Sequence, residues 1–250
     1  MESDPTEAGY LYSDGPIRVY HGDQAVLPRR YVSRQRLCLR GTTHYWINDA
    51  LGRPFFVVSK AITTGLGDTL LKDIVPQLLE SVPGQPAPEQ VVAAPRLYRF
   101  VLVFDREGAT AVLLEALWQQ RIGAITYRKN VKDRWPESEF AETDVAMPDG
   151  VQLAMKRAMR ETPLGETLTV KEVRRLTATG HQTAVISTAH GLDHVIIAGR
   201  MFAPWCQENF FAFMCRVRSM NAFATPSSSA MSMPPAGNWC FMNSIACSLP

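Results

Sequence analysis

Three acids stand where this sequence could do chemistry. Asp105 closes the run Phe100-Val101-Leu102-Val103-Phe104 and is followed by Arg106-Glu107-Gly108. An unbroken apolar run of β-branched and aromatic residues that ends on a turn reads as a strand buried on both faces, which puts Asp105 at the mouth of a sheet. In open α/β sheets that edge is where ligands and metals collect. A lone strand-end Asp more often starts a loop and caps the next helix, so a catalytic role requires other acids to converge on it. Asp14, in Tyr12-Ser13-Asp14-Gly15, and Glu208, in Trp205-Cys206-Gln207-Glu208-Asn209-Phe210-Phe211, are the candidates. Taken singly, Asp14 reads as a turn residue and Glu208 as a solvated helix acid.

Other reactive residue types carry less. Glu107 could assist Asp105, but an acid at a helix start also favours the helix dipole. His190 and His194 are four apart, yet Gly191 and Asp193 suggest a loop, and no third zinc ligand is evident. Asp23 and Asp49 lie in turn-like sequence. Gly65-Leu66-Gly67 lacks the Lys and Ser/Thr of a phosphate-binding loop. The 5 cysteines are odd in number and show no C-x-x-C pair, so neither a zinc ribbon nor a disulfide framework is expected. Basic residues gather in three groups: Arg29, Arg30, Arg34, Arg36 and Arg40; Arg128, Lys129, Lys132 and Arg134; and Lys171, Arg174 and Arg175. Such groups bind phosphate backbones, but solvated faces carry them too.

The elements that would position these residues follow from the apolar pattern. At 250 residues, with 46% hydrophobic and 20% charged, the chain can build one sizeable core. A net charge of +2 does not by itself imply nucleic acid. No apolar run is long enough to span a bilayer, and the acidic start Met1-Glu2-Ser3-Asp4 is unlike a signal peptide, so we expect a cytoplasmic protein without a membrane partner. Tyr10-Leu11-Tyr12-Ser13 and Ile17-Arg18-Val19-Tyr20 read as strand on either side of Asp14-Gly15. Residues 21–34 read as a basic loop. Residues 36–47 and 54–59 read as a hairpin about the turn Asn48-Asp49-Ala50-Leu51-Gly52-Arg53. Asp68 is expected to cap a helix that carries Leu70, Leu71, Ile74, Val75, Leu78 and Leu79 and is kinked at Pro76. The strand at 100–104 leads into a helix over 109–121, then a strand over 122–127. Residues 131–190 read as a mostly β insertion with a hairpin about Ala178-Thr179-Gly180-His181. Residues 200–214 have a helical spacing. From Ser219 to Pro250 there is no charged residue and no period, so no packed structure is assigned.

Three antiparallel strands followed by alternating helices and strands describe an α/β fold, a ribonuclease H-like mixed sheet. Acids on the first strand, at the end of the fourth and on a late helix fit that description. With the motifs around Asp14, Asp105 and Glu208, the sequence resembles the DDE transposases of bacterial insertion sequences, over most of residues 9–214. The resemblance implies a catalytic core of residues 1–130 and 191–218, a β-rich insertion over 131–190 before the last catalytic helix, and an unstructured tail over 219–250. It implies that Asp14, Asp105 and Glu208 hold two Mg²⁺ ions, with Mn²⁺ as a substitute, for phosphodiester hydrolysis and strand transfer. It also implies double-stranded DNA, transposon ends and target, as partner, a homodimer as the assembly to consider, and Arg29, Arg30, Arg128 and Lys129 as DNA contacts. There are departures. Pro204 stands where the family commonly has an Arg four before the Glu, and Cys215 where it has a Lys seven after. The start at the core and the charge-free tail, of a composition that a shifted reading frame would give, add the expectation of a truncated, inactive copy. Two other readings stay open. One is a non-catalytic DNA-binding remnant. The other is a metal-dependent phosphohydrolase using Asp105 on a doubly wound sheet, although Arg106 and Glu107 break its usual Asp-x-Asp pattern. Strand order separates this last from the first, because only the ribonuclease H-like sheet opens with three antiparallel strands.

Overall fold

A computed structural model describes residues 9–202 except 23, 34, 148 and 149. The antiparallel half of the sheet is organised on β4 (Leu37–Asp49), in which Tyr45 and Ile47 are buried on one face. Along one side of β4 run β1 (Tyr10–Asp14) and β2 (Ile17–Val19), both antiparallel to it. On the other side lies β5 (Pro54–Ala61), also antiparallel. The Asp49 carboxylate shapes the connecting turn by accepting the backbone N–H groups of Leu51 and Arg53 and the Nε of Arg53. The expected basic loop contains a further strand, β3 (Arg29–Val32), paired to β4. Three of its four residues are exposed, so it carries no apolar alternation that the sequence could betray.

The first helical segment also differs from expectation. Gly65, not Asp68, precedes α1 (Leu66–Thr69), and the Asp68 carboxylate pairs with Lys72 at 3.0 Å. A wide turn over Leu70–Ile74 then leads into α2 (Val75–Ser81), with the Val75 N–H donating five residues back to Leu70. Proline clashes with the carbonyl four residues before it, and a turn widened at that place takes up the ring of Pro76. A short α3 (Pro88–Ala93) follows. Then β6 (Val101–Phe104) pairs parallel to β1, and β7 (Gly123–Tyr127) pairs parallel to β6. Between them α4 (Ala111–Gln119) buries Leu113, Leu114 and Leu117, while Val112 is exposed.

Residues 131–190 are β-rich, as the alternation predicts. They form β8 (Ala141–Ala146), β9 (Gln152–Leu164), β10 (Leu168–Leu176) and β11 (Gln182–Ser187), an antiparallel run. Because β11 pairs with β7, this segment prolongs the same sheet, whose order from β4 onward is β4-β1-β6-β7-β11-β10-β9-β8. The sequence hid β9, since Lys156, Arg157, Arg160 and Glu161 interrupt its apolar pattern. A helix, α5 (His194–Phe202), covers the start of the stretch 200–214 that the spacing predicts to be helical, the rest of which lies outside the described residues; His194 thus opens a helix and does not lie in a loop. The Asp193 carboxylate accepts the Val195 N–H there.

All four residues of β6 are buried, and they serve two cores. On one face Leu102 and Phe104 pack with Leu11, Tyr45, Ile47 and the apolar sides of the helices α1, α2 and α4. On the other, Val101 and Val103 pack with Tyr10, Tyr12, Ile125, Val185 and Ile197, Ala198 and Met201 of α5. Among the described residues no helix is long and apolar enough to cross a membrane.

Candidate functional site

The parallel strands β1, β6 and β7 end together. Ser13 pairs with Phe104, and Phe104 with Thr126, so the next residues Asp14, Asp105 and Tyr127 follow in a row at the carboxyl edge. Neighbouring strands lie about 4.8 Å apart, and side chains alternate between faces every residue. Asp14 therefore continues the row of Tyr10 and Tyr12, and Asp105 the row of Val101 and Val103, both on the face that α5 covers. Asp14 is half-buried and its Oδ1 accepts the Gly15 N–H at 2.8 Å. Asp105 is exposed and its Oδ1 accepts the Arg106 N–H at 2.6 Å, capping a single tight turn over Arg106–Gly108. It does not cap α4, whose first turn is held by Thr110 Oγ1 accepting the Leu113 N–H. Two of the three sequence-expected acids thus lie side by side. Glu208 lies outside the described residues.

The turn after Asp105 is held by residues from distant segments. Thr126 Oγ1 donates to the Asp105 carbonyl at 3.1 Å, and Lys129 Nζ donates to the Glu107 carbonyl at 2.9 Å. Arg30 reaches the Glu107 carboxylate at 3.5 Å and also donates to the Ile62 carbonyl. So two of the expected DNA contacts, Arg30 and Lys129, meet at the turn that follows Asp105. Arg128 is committed inward, to an ion pair with Glu172, and Arg29 is an exposed residue of β3. Nearby, burial together with the Glu107 charge pushes the Tyr45 phenol up to about 12, and its hydroxyl donates to the Thr64 carbonyl. Among the described residues no three His, Cys, Asp or Glu side chains are grouped to hold a metal. His190 packs against Trp118 with ring centroids 5.7 Å apart, and His194 Nδ1 lies 3.3 Å from the Asp193 carboxylate.

A protein-family model described as "Transposase protein" matches residues 1–233. The chain belongs to this transposase family. No curated protein matches it. Among solved structures, a cryo-EM structure of the piggyBac transposase synaptic complex with hairpin DNA is similar at a TM-score of 0.44 and 11% identity, over 89% of this chain and 42% of that one.

In this transposase chain the β-rich segment is tied to the same edge by a charge network with a buried centre that the sequence reading missed. Glu172 and Arg174 are wholly buried, and Arg174 Nε donates to Glu172 Oε1 at 2.7 Å. The other oxygen of Glu172 accepts from Arg128, next to Tyr127, and from Thr162. Arg174 also donates to the carboxylate of Asp133 at 2.8 Å and stacks on the Trp135 ring, 4.2 Å from its centroid. That hydrogen bond holds the Asp133 carboxyl below the usual carboxylate range. A signal was available: Leu168, Val170 and Leu176 alternate inward, which places Glu172 and Arg174 on the same buried face.

Proposed function

We propose that this chain is the catalytic domain of a DDE transposase with a ribonuclease H-like core, in which Asp14, Asp105 and Glu208 hold two Mg²⁺ ions for DNA cleavage and strand transfer. The observation that carries this reading is the register that sets Asp14 and Asp105 side by side on one face at the ends of adjacent parallel strands. Two carboxylates at about one strand spacing can share a pair of hard cations, which sit about 3.5–4 Å apart in such sites. Bound there, the ions would supply Lewis-acid activation of a water or 3′-hydroxyl and stabilisation of the leaving oxygen. The chain's own residues would do the rest. Asp14 would hold the ions from the rigid strand, Asp105 would be aimed by its capped turn, and Glu208 would complete the set. Arg30 and Lys129, at the Glu107 turn, would meet the phosphate backbone of double-stranded DNA, with the exposed Arg29 next to Arg30 in β3. The antiparallel trio β1, β4 and β5 favours this reading over a phosphohydrolase on a doubly wound sheet.

The test is thermal unfolding of the purified chain with and without Mg²⁺. Ions that bind only the folded state stabilise it, so Mg²⁺ should raise the melting temperature, and Asp105→Asn should remove most of the rise. A rise that survives Asp105→Asn would mean that the metal binds elsewhere and would refute the assignment.

A further inference from the structure

We propose that β3 and the first four residues of β4 form a basic two-stranded ribbon that enters the major groove of duplex DNA beside the candidate site. The proposal rests on the reading of the chain as a DNA-cleaving transposase, and adds the surface that grips the duplex next to the cut. Residues 24–48 hold five arginines and no acid. Leu37 to Arg40 pair with β3 and, among the described residues, with no other strand. The register sets Arg29 opposite Arg40 and Tyr31 opposite Cys38. Residues opposite each other in an antiparallel pair share a face, and like charges so placed destabilise the pair. Among the described residues no carboxylate forms an ion pair with Arg29, with Arg40, or with Arg36, which lies between the strands at φ 53°. Charge on an exposed strand guards against unwanted pairing, but that use does not require two arginines face to face. A polyanion laid against them removes the repulsion.

The other face ties the ribbon to the protein. Side chains alternate along a strand, so Arg30 and Val32 lie opposite to Arg29 and Tyr31. The Arg30 guanidinium donates to the Ile62 carbonyl at 3.3 Å and lies 3.5 Å from the carboxylate of Glu107, two residues after Asp105, while Val32 is buried. The root of the ribbon is thus fixed at the turn that follows Asp105, and Arg29, Tyr31, Cys38 and Arg40 share the outward face. On that face Tyr31 is 57% exposed. The major groove is about 12 Å wide and admits a two-stranded ribbon, whose strands lie about 4.8 Å apart. Four residues at about 3.4 Å each span about 14 Å, the length of about four base pairs. In that position Arg29 and Arg40 meet the phosphates that wall the groove, and Tyr31, one pair nearer the turn, meets the base edges. The deep, narrow major groove of duplex RNA has no room for the ribbon.

The experiment uses the full chain, with the exposed Cys38 as a handle on the outward face. DNA duplexes of arbitrary sequence carry a mixed disulfide on a short tether, either at cytosine N4 in the major groove or at guanine N2 in the minor groove. Thiol exchange should link the chain to the N4 duplex, and Cys38→Ser should abolish the link. A link through N2 alone, a link that survives Cys38→Ser, or no link from a chain that binds DNA overturns groove entry. In parallel, Arg29→Gln with Arg40→Gln is compared with wild type by salt titration of duplex binding and by melting without DNA. The slope of log affinity against log salt should fall by about two, one for each phosphate contact. Melting should not fall, because a like-charge pair has been removed. A slope that Lys129→Gln reduces but the double variant leaves intact overturns the ribbon alone. A double variant that melts lower and keeps the wild-type slope makes these arginines structural and also overturns it. Duplex RNA bound as tightly as DNA overturns the fit to the groove. A wild-type chain that binds no duplex overturns the DNA reading first, and the ribbon with it.

Discussion

Glu172→Gln should destabilise the chain strongly although it lies far from Asp14 in sequence and changes the side chain by little more than its charge. Glu172 is wholly buried and answers two guanidinium groups, that of Arg174, itself wholly buried, and that of Arg128. Removing one partner of a buried pair costs about 3–5 kcal/mol, because the charge left behind keeps its desolvation penalty. Gln can still accept one neutral hydrogen bond worth about 1 kcal/mol, and Arg174 keeps Asp133, so the lower end, about 3 kcal/mol, is expected. For a domain of this size that is a fall of about 6–12 °C in melting temperature. The readout is urea unfolding followed by the fluorescence of the chain's 5 tryptophans, among them Trp135 on the Arg174 guanidinium. Glu139→Gln is the internal contrast. Its partner Arg160 is a surface residue, the pair is open to solvent, and melting should barely move. A loss below about 1 kcal/mol on Glu172→Gln, or a loss no larger than that of Glu139→Gln, would refute the reasoning that the Glu172–Arg174 pair is sealed from water.

Further outcomes follow from other parts of the molecule. Gly199→Ala should destabilise despite the better helix former, because the new Cβ would stand 2.5 Å from the backbone carbonyl oxygen of Ala146, and α5 would have to lift off β8; unchanged melting would show that α5 can shift freely. Burial holds the imidazoles of His44 and His190 below the usual range. Below about pH 6.5 the unfolded chain then takes up protons that the folded chain refuses, so stability should fall as pH drops through that value, and His190→Gln should flatten part of the fall in urea midpoints measured at pH 7.5 and 5.5. Binding to a DNA duplex of arbitrary sequence should weaken steeply with salt, and Lys129→Gln should reduce the slope of log affinity against log salt by about one; a slope near zero would refute the electrostatic account.

Much of the scaffold was legible without coordinates, for reasons visible in single elements. Phe100 to Phe104 is apolar without interruption because β6 is buried on both faces and has no solvent side to encode. The hairpin of β4 and β5 is announced by Asn48-Asp49-Ala50-Leu51-Gly52-Arg53, since a tight turn needs those residue types locally. What failed was what depends on neighbours far along the chain. The strands β3 and β9 are rich in charge, and only pairing with β4 and β10 makes them strands. Pro76 predicts a kink, but the wide turn that accommodates it is a matter of backbone geometry. Asp14 and Asp105 could be named from their strand ends, yet 91 positions separate them, and spacing cannot say that their strands are neighbours, parallel and in register. That is decided by β1 and β6 lying together between β4 and β7. The same holds for Glu172. Sequence gives an acid in an alternating strand, but a charge becomes a buried hub only when packing removes water and brings in a partner.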